Sequence, residues 1–249
     1  MLQEIKTGIR KLVGRHRSDL DGMAPADRDL VRRLRSKNLT YLSDRKLGSI
    51  ARTCRDLEAA GLEGMAIEAG CALGGSSILI ASLKSPGREF RVYDVFGMIP
   101  PPTRDDTQDV HDRYRTIVEG KAVGIRQDKY YGYEQDLYEK VKANLGSFGI
   151  DCEALRVRLI KGLLQDTMAA DGPVAFAHVD VDWYDPVKTC LERIWPRVVA
   201  GGSIILDDYH DWGGCRKAAD EYLRTITGQF RLDDSAGSLK ITRIGPVRN

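Results

Sequence analysis

Two apolar runs in this chain end abruptly in carboxylates. Ala175-Phe176-Ala177-His178-Val179 leads into Asp180-Val181-Asp182, and Ser203-Ile204-Ile205-Leu206 leads into Asp207-Asp208. Short apolar runs bounded by polar residues read as buried strands, so both acidic pairs fall at strand exits. Neighbouring parallel strands would bring them together. Bare carboxylates that close repel one another and must share protons or hold a cation. An all-oxygen ligand set selects a hard ion such as Mg²⁺, with Mn²⁺ or Ca²⁺ as variants, while Zn²⁺ would prefer histidine or thiolate. A bound ion would lower the pKa of an acceptor hydroxyl and orient it. Asp180 is the first choice for the base that removes the proton, beside the ion or as its ligand. The alternative is that these aspartates only cap the helices after each strand. His178, inside the strand, reads as a core residue. His210 and His111 are lesser candidates for the base.

A second constellation is Ile67-Glu68-Ala69-Gly70-Cys71-Ala72-Leu73-Gly74-Gly75-Ser76-Ser77. It reads as a strand, a glycine turn and a helix start. Gly70 and Gly74 would let backbone approach a ligand, and Ser76 could cap the helix and favour an anionic group at its N-terminus. A dinucleotide fingerprint needs a glycine at position 72, where this chain has alanine. Glu68 could instead accept from the ammonium of an amino-acid ligand, which fits S-adenosylmethionine better than NAD. Asp94 ends the next predicted strand about 20 residues beyond the turn, where such folds hold a ribose. The competing readings are tight strand–helix packing for the glycines and a local cap for Asp94.

The elements that must position these groups follow from periodicity. Helices are predicted over 27–35 and 44–60, the second capped by Ser43. Strands are predicted over 65–69, 90–95, 156–160, 174–179 and 203–206, with helices over 76–83, 184–194 and 214–225. A closing antiparallel pair is predicted over 230–232 and 239–242. The alternation implies an α/β fold: a mostly parallel seven-stranded sheet with helices on both faces. Residues 1–60 form an N-terminal helical extension and 61–249 the main domain. Residues 97–136 interrupt the rhythm with Pro100-Pro101-Pro102 and the tyrosines Tyr130, Tyr131 and Tyr133. An insertion at the carboxyl end of a strand reads as a lid over the site; a disordered or subunit-contacting loop is the alternative.

Composition narrows the class. The net charge of +2 is too small to argue by itself for nucleic acid or a membrane as partner, and neither is expected; no apolar run approaches the roughly 20 residues of a membrane span. Leu2, Ile5, Ile9, Leu12 and Val13 recur at helical spacing in a basic start that lacks the apolar core of a secretory signal. Five cysteines without a CxxC pair read as reduced thiols of a cytoplasmic protein. There is no G-x-S-x-G and no P-loop, and nothing in the sequence activates Cys215 as a nucleophile.

Four segments together carry a family resemblance: IEAGCALGGSSILIA, VYDVFGMIPPPTRDD, HVDVDWYDP and GGSIILDDYHDWGGCRKAADEY. They resemble the macrocin O-methyltransferase (TylF/MycF-like) family over roughly Thr40 to Tyr222. The resemblance implies a Rossmann-like class I methyltransferase fold, S-adenosylmethionine and Mg²⁺, with a hydroxyl on a natural-product sugar as acceptor. The family's metal aspartates match Asp180, Asp207 and Asp208, the first similar to its proposed base. Its cofactor motif matches Glu68, Gly70, Gly74 and Gly75, with Asp94 at the ribose. Gln165, in Lys161–Asp166, resembles the adenine-side loop, and Thr40 and Tyr41 stand where members bring an N-terminal segment over the cofactor. Members are often homo-oligomers, which suits the amphipathic start. Val181 replaces a glycine frequent between the two post-strand aspartates, here Asp180 and Asp182, and His178 replaces a frequent arginine. Rival expectations are a catechol-like acceptor, an NAD-dependent oxidoreductase, and a binding protein that kept the fold without catalysis.

Overall fold

The computed structural model describes Leu20, residues 22–226 and residues 230–245. The amphipathic pattern from Leu2 to Val13 lies outside the described residues. The chain runs α1 (Pro25–Ser36), α2 (Asp44–Ala59), β1 (Met65–Ala69), α3 (Gly75–Leu83), β2 (Phe90–Asp94), α4 (Gln108–Val118), α5 (Leu137–Ser147), β3 (Val157–Lys161), α6 (Leu164–Thr167), β4 (Val174–Val179), α7 (Tyr184–Ile194), β5 (Val198–Leu206), α8 (Gly213–Thr225), β6 (Phe230–Asp233) and β7 (Leu239–Arg243). The strands form one seven-stranded sheet in the order β3-β2-β1-β4-β5-β7-β6, with β7 antiparallel to both its neighbours. Order reverses at β1, where β2 lies on one side and β4 on the other. Open α/β sheets bind ligands at such a switch point, beyond the carboxyl ends of the strands.

Strand alternation sorts the core into two layers. Ala66, Phe90, Val92, Phe176 and Ile205 face one apolar layer, packed under α1, α2, α3 and α5. Ile67, Tyr93, Ala177, Ile204 and Leu206 face the other, under α6, α7 and α8. The two helices of the N-terminal extension are part of the first layer: Val31 and Leu34 of α1 and Leu47, Ile50 and Cys54 of α2 are essentially buried. Ser43 caps α2 by accepting the Lys46 N–H at 3.2 Å. All five cysteines are free thiols. Among the described residues no helix is long and apolar enough to cross a membrane.

Four elements depart from expectation, the least of them the short helix α6 in a segment read as a loop. Strand β5 starts at Val198, five residues early. Gly201 and Gly202, outside the predicted strand, sit within an irregular stretch where Val174 pairs with Val198 and Phe176 with Ser203. Extra residues on one strand of a pair are accommodated as a bulge, for which glycine is suited. Helix α5 was not expected; Asp136 caps it through the Glu139 N–H, and Leu137, Val141 and Leu145 bury one stripe. The 97–136 insertion carries the regular helix α4, whose only buried residues are Val110 and Ile117. Two apolar residues among charges leave too faint a period to read.

Candidate active site

Register places the acidic exits side by side. Ala69 of β1 pairs with Val179 of β4, and Val179 with Leu206 of β5. The next residues, Gly70, Asp180 and Asp207, therefore emerge together. Carboxylate oxygens of Asp180, Asp207 and Asp208 lie within 4.8 Å of one another. Burial, and then the charge of Asp207, holds the Asp180 carboxyl well above the usual range. Burial, and then Asp182 and Asp180, does the same to Asp208. Asp207 goes the other way: burial pushes it up, but contacts from His178 and Lys46 outweigh burial and lower it. Its Oδ2 accepts from Lys46 Nζ at 2.8 Å, while its Oδ1 is buried without a hydrogen-bond partner.

Asp182 does not join this trio. Its backbone takes a left-handed φ of 57° and its N–H donates to Asp208 Oδ2 at 3.1 Å. Burial is the main reason its carboxyl is pushed up to about 6. Ala72 and Phe96 also have positive φ, 46° and 48°. The exits of β1, β2 and β4 thus each hold a non-glycine residue in a sparsely populated conformation, a feature that clusters at functional sites.

The glycine turn is built differently from expectation. Gly74, in left-handed conformation, is the residue preceding α3, and Ser76 is an interior residue of that helix and does not cap it. A Cβ on Gly70 would overlap the Asp180 carbonyl oxygen, and one on Gly75 would overlap the Leu39 carbonyl oxygen and lie 2.7 Å from Thr40 Cβ. These glycines admit neighbouring backbone: β4's exit at Gly70 and the N-terminal extension at Gly75. Glu68 is wholly buried. Its carboxylate accepts from Ser77 Oγ and meets His178 Nδ1 at 3.0 Å, so it is directed into the core and not into the cleft. His178 in turn faces Asp207, with Nε2 3.9 Å from Oδ1. Burial opposes its charge, but Asp207 and Glu68 raise its pKa to about 10.

Two cavities open over this region and share Gly70, Asp94, Tyr131, Asp180 and Asp182. The first, about 330 Å³, is walled by Ile99, Pro100, Leu163, Trp183 and Pro186 and includes Gln165. The second, about 500 Å³, holds Asp207 and Asp208, with Thr40, Tyr41, Ser76, Arg113, Tyr130 and Trp212 around them. Gly74, Gly75 and Glu68 line neither cavity. Asp94, between the cavities, accepts the N–H groups of Cys71 at 2.8 Å and Phe96 at 2.7 Å. Burial nonetheless raises its pKa.

The 97–136 insertion walls both cavities and is fastened across the cleft. Asp106 Oδ1 accepts the Tyr184 N–H at 2.7 Å and Asp109 Oδ2 accepts the Gly213 N–H at 3.0 Å. Helices α7 and α8 lack side-chain caps of their own, so these carboxylates serve as caps from a distant segment. Trp183 Nε1 donates to the Pro100 carbonyl at 2.9 Å. Sequence reading missed Lys46, Asp106, Arg113 and Trp183 as site residues, while Trp212 lies in the His210–Arg216 run that the sequence set at the border of the site. Lys46 looks like any wet residue of an amphipathic helix, and its reach to Asp207 spans 161 positions.

A sheet of this order, with its antiparallel last pair and a ligand cleft at the carboxyl ends, is the class I methyltransferase fold. The chain belongs to the macrocin-O-methyltransferase (TylF) family, whose model matches residues 15–234. It is an S-adenosylmethionine-dependent O-methyltransferase. A relative from Streptomyces olivaceus, 8-demethyl-8-(2,3-dimethoxy-alpha-L-rhamnosyl)-tetracenomycin-C 4'-O-methyltransferase, is 29% identical over 90% of this chain and 81% of its own. Demethyldecarbamoylnovobiocin O-methyltransferase of Streptomyces niveus is 26% identical over 74% of this chain and 67% of its own. The structure of the O-methyltransferase NovP shares the fold, with a TM-score of 0.66 at 22% identity over 83% of each chain.

Proposed function

We propose that this enzyme methylates a hydroxyl of a sugar, most simply a deoxysugar carried on a natural-product glycoside. The observation that carries the reading is the cluster of Asp180, Asp207 and Asp208 on the wall of the larger cavity, in a chain similar to a methyltransferase named for a rhamnosyl-tetracenomycin substrate. A sugar offers vicinal hydroxyls that a hard cation on carboxylates can grip.

The residues fit such a cation. Asp207 Oδ1 is buried and unpartnered, and the acids around it are held above their ordinary range by burial and each other. Asp180, Asp207 and Asp208 would hold Mg²⁺, which when bound lowers the pKa of the acceptor hydroxyl and fixes its direction. Asp180 is the proposed base. Asp182, which lines both cavities, would lie beside Asp180 as a further carboxylate.

S-adenosylmethionine would span the two cavities. Asp94 and Gly70, common to both, would meet the ribose and the donor's middle. Gln165 would lie on the adenine side, in the apolar cavity. Thr40, Tyr41 and Ser76 would meet the methionine end, in the polar one. Glu68, Gly74 and Gly75 would act by shaping the turn. The insertion would exclude water from the reacting atoms.

The test is acceptor profiling with purified enzyme, S-adenosylmethionine and Mg²⁺ against free sugars, natural-product glycosides and aromatic diols. Methylated glycoside is expected. Turnover confined to aromatic diols would overturn the sugar acceptor, and full activity in EDTA would overturn the metal.

A further inference from the structure

Lys46 reaches the acidic cluster from a part of the chain with no obvious reason to be there. It lies in the first turn of α2, on the N-terminal extension. Its Nζ donates to Asp207 Oδ2 at 2.8 Å, to the Asp207 carbonyl at 3.1 Å and to Asp211 Oδ2 at 2.6 Å. Its side chain is only 12% exposed and that of Asp207 7%. Among the described residues, no other lysine or arginine is within ion-pair distance of Asp180, Asp207 or Asp208. The contact also divides the Asp207 carboxylate: Oδ2 is occupied, while Oδ1 is buried without a hydrogen-bond partner, with His178 Nε2 3.9 Å away.

A buried carboxylate stripped of its counter-charge is strongly unfavourable. A positive charge so near a cation site also repels the cation, because the interior screens poorly. We propose that Lys46 is a resident counter-charge of the acidic cluster, acting on the Oδ2 side of Asp207 opposite His178. It balances Asp207 in the metal-free protein, leaves Oδ1 for the cation as a positioning residue, and holds cation affinity below what the aspartates alone would reach. The affinity part rests on the metal reading above. The N-terminal extension thereby becomes a component of the site and not merely a cover on the sheet.

The experiment compares full-length wild type, Lys46→Met, Lys46→Arg and the double variant Lys46→Met/Asp207→Asn. Thermal melts in chelator are run beside Mn²⁺ binding by titration calorimetry. Lys46→Met is expected to lower the metal-free melting temperature by about 5–10 °C and to bind Mn²⁺ on the order of tenfold tighter. Lys46→Arg should stay close to wild type in both. Adding Asp207→Asn should recover most of the lost melting temperature, which lost packing alone would not allow. A Lys46→Met protein that folds only with Mn²⁺ also supports the proposal. Unchanged or weaker Mn²⁺ binding by Lys46→Met overturns it, as does a melting loss, or a failure to fold, that Asp207→Asn does not repair. Wild type that binds no Mn²⁺ would sink the metal reading, while the chelator melts would still decide whether Lys46 balances Asp207.

Discussion

Gly70 lies against the backbone of Asp180 so closely that a Cβ on it would overlap the Asp180 carbonyl oxygen. The turn after β1 and the first acidic exit are therefore one rigid unit, joined also by the Asp180 N–H donating to the Ala69 carbonyl at 2.8 Å. Gly70 adds a φ of +79°, which an alanine resists. Gly70→Ala should destabilise the protein by roughly 2–4 kcal/mol and lower both turnover and cofactor affinity. Denaturant melts and calorimetry with S-adenosylhomocysteine would show it; a variant of wild-type stability would contradict the packing described.

Asp180→Asn and Asp208→Asn separate chemistry from cofactor binding. Each is expected to lower kcat by roughly 10²–10⁴-fold while S-adenosylhomocysteine affinity stays within a few-fold. EDTA should silence the wild type and added Mg²⁺ restore it. A loss of cofactor affinity equal to the loss of rate would move these residues out of the proposed metal role.

The stability of the metal-free enzyme should depend on pH with a definite sign. Asp180, Asp182 and Asp208 have folded-state pKa values raised above those of an unfolded chain, Asp182 to about 6. Each therefore binds a proton in the folded state at a pH where the unfolded chain has released it. Their contribution is complete below about pH 4 and is lost as pH rises through the folded values. Asp207, lowered, acts oppositely, but only below its unfolded pKa. For Asp182 the window is about pH 4 to 6. Melts from pH 4.5 to 7.5 in chelator should show Asp182→Asn gaining stability relative to wild type as pH rises. A constant difference between the two would refute the assignment.

Asp94 has a structural duty besides its proposed place at the ribose. Asp94→Ala would leave the Cys71 and Phe96 N–H groups without their acceptor, at about 1–3 kcal/mol for each buried group left unpaired. It should weaken both folding and cofactor binding. Asp94→Asn keeps one acceptor oxygen and should recover part of the stability. Melts and cofactor titration on the pair would test this.

The fastening of the insertion predicts a kinetic signature. Asp106→Ala removes the cap on the α7 N-terminus and should lower stability by about 1 kcal/mol. Because Asp106 also lines the apolar cavity, the KM for S-adenosylmethionine should rise more than kcat falls. An unchanged KM would show that the insertion holds its place without this contact.

Much of the architecture was legible in one dimension. β1 and β4 and helix α7 fall where the apolar runs and their periods predict, because each buries a stripe that repeats along the chain. The acidic exits were legible for the same reason: carboxylates ending a buried run are out of place unless they do something. What the sequence could not reveal was direction and distant partnership. Glu68 and Asp94 both stand at or near a strand's carboxyl end, but pairing of β1 with β4 turns Glu68 toward Ser77 and His178 in the core, while Asp94 lines the cleft. The glycines of the turn were expected to let backbone approach a ligand, but at Gly70 and Gly75 the close approach is to other parts of the chain. Only the folded chain shows these to be Asp180 and Leu39. Lys46 and Asp106 carry no local mark at all, since an ion pair or a cap formed across more than seventy positions depends on where the sheet brings the segments together.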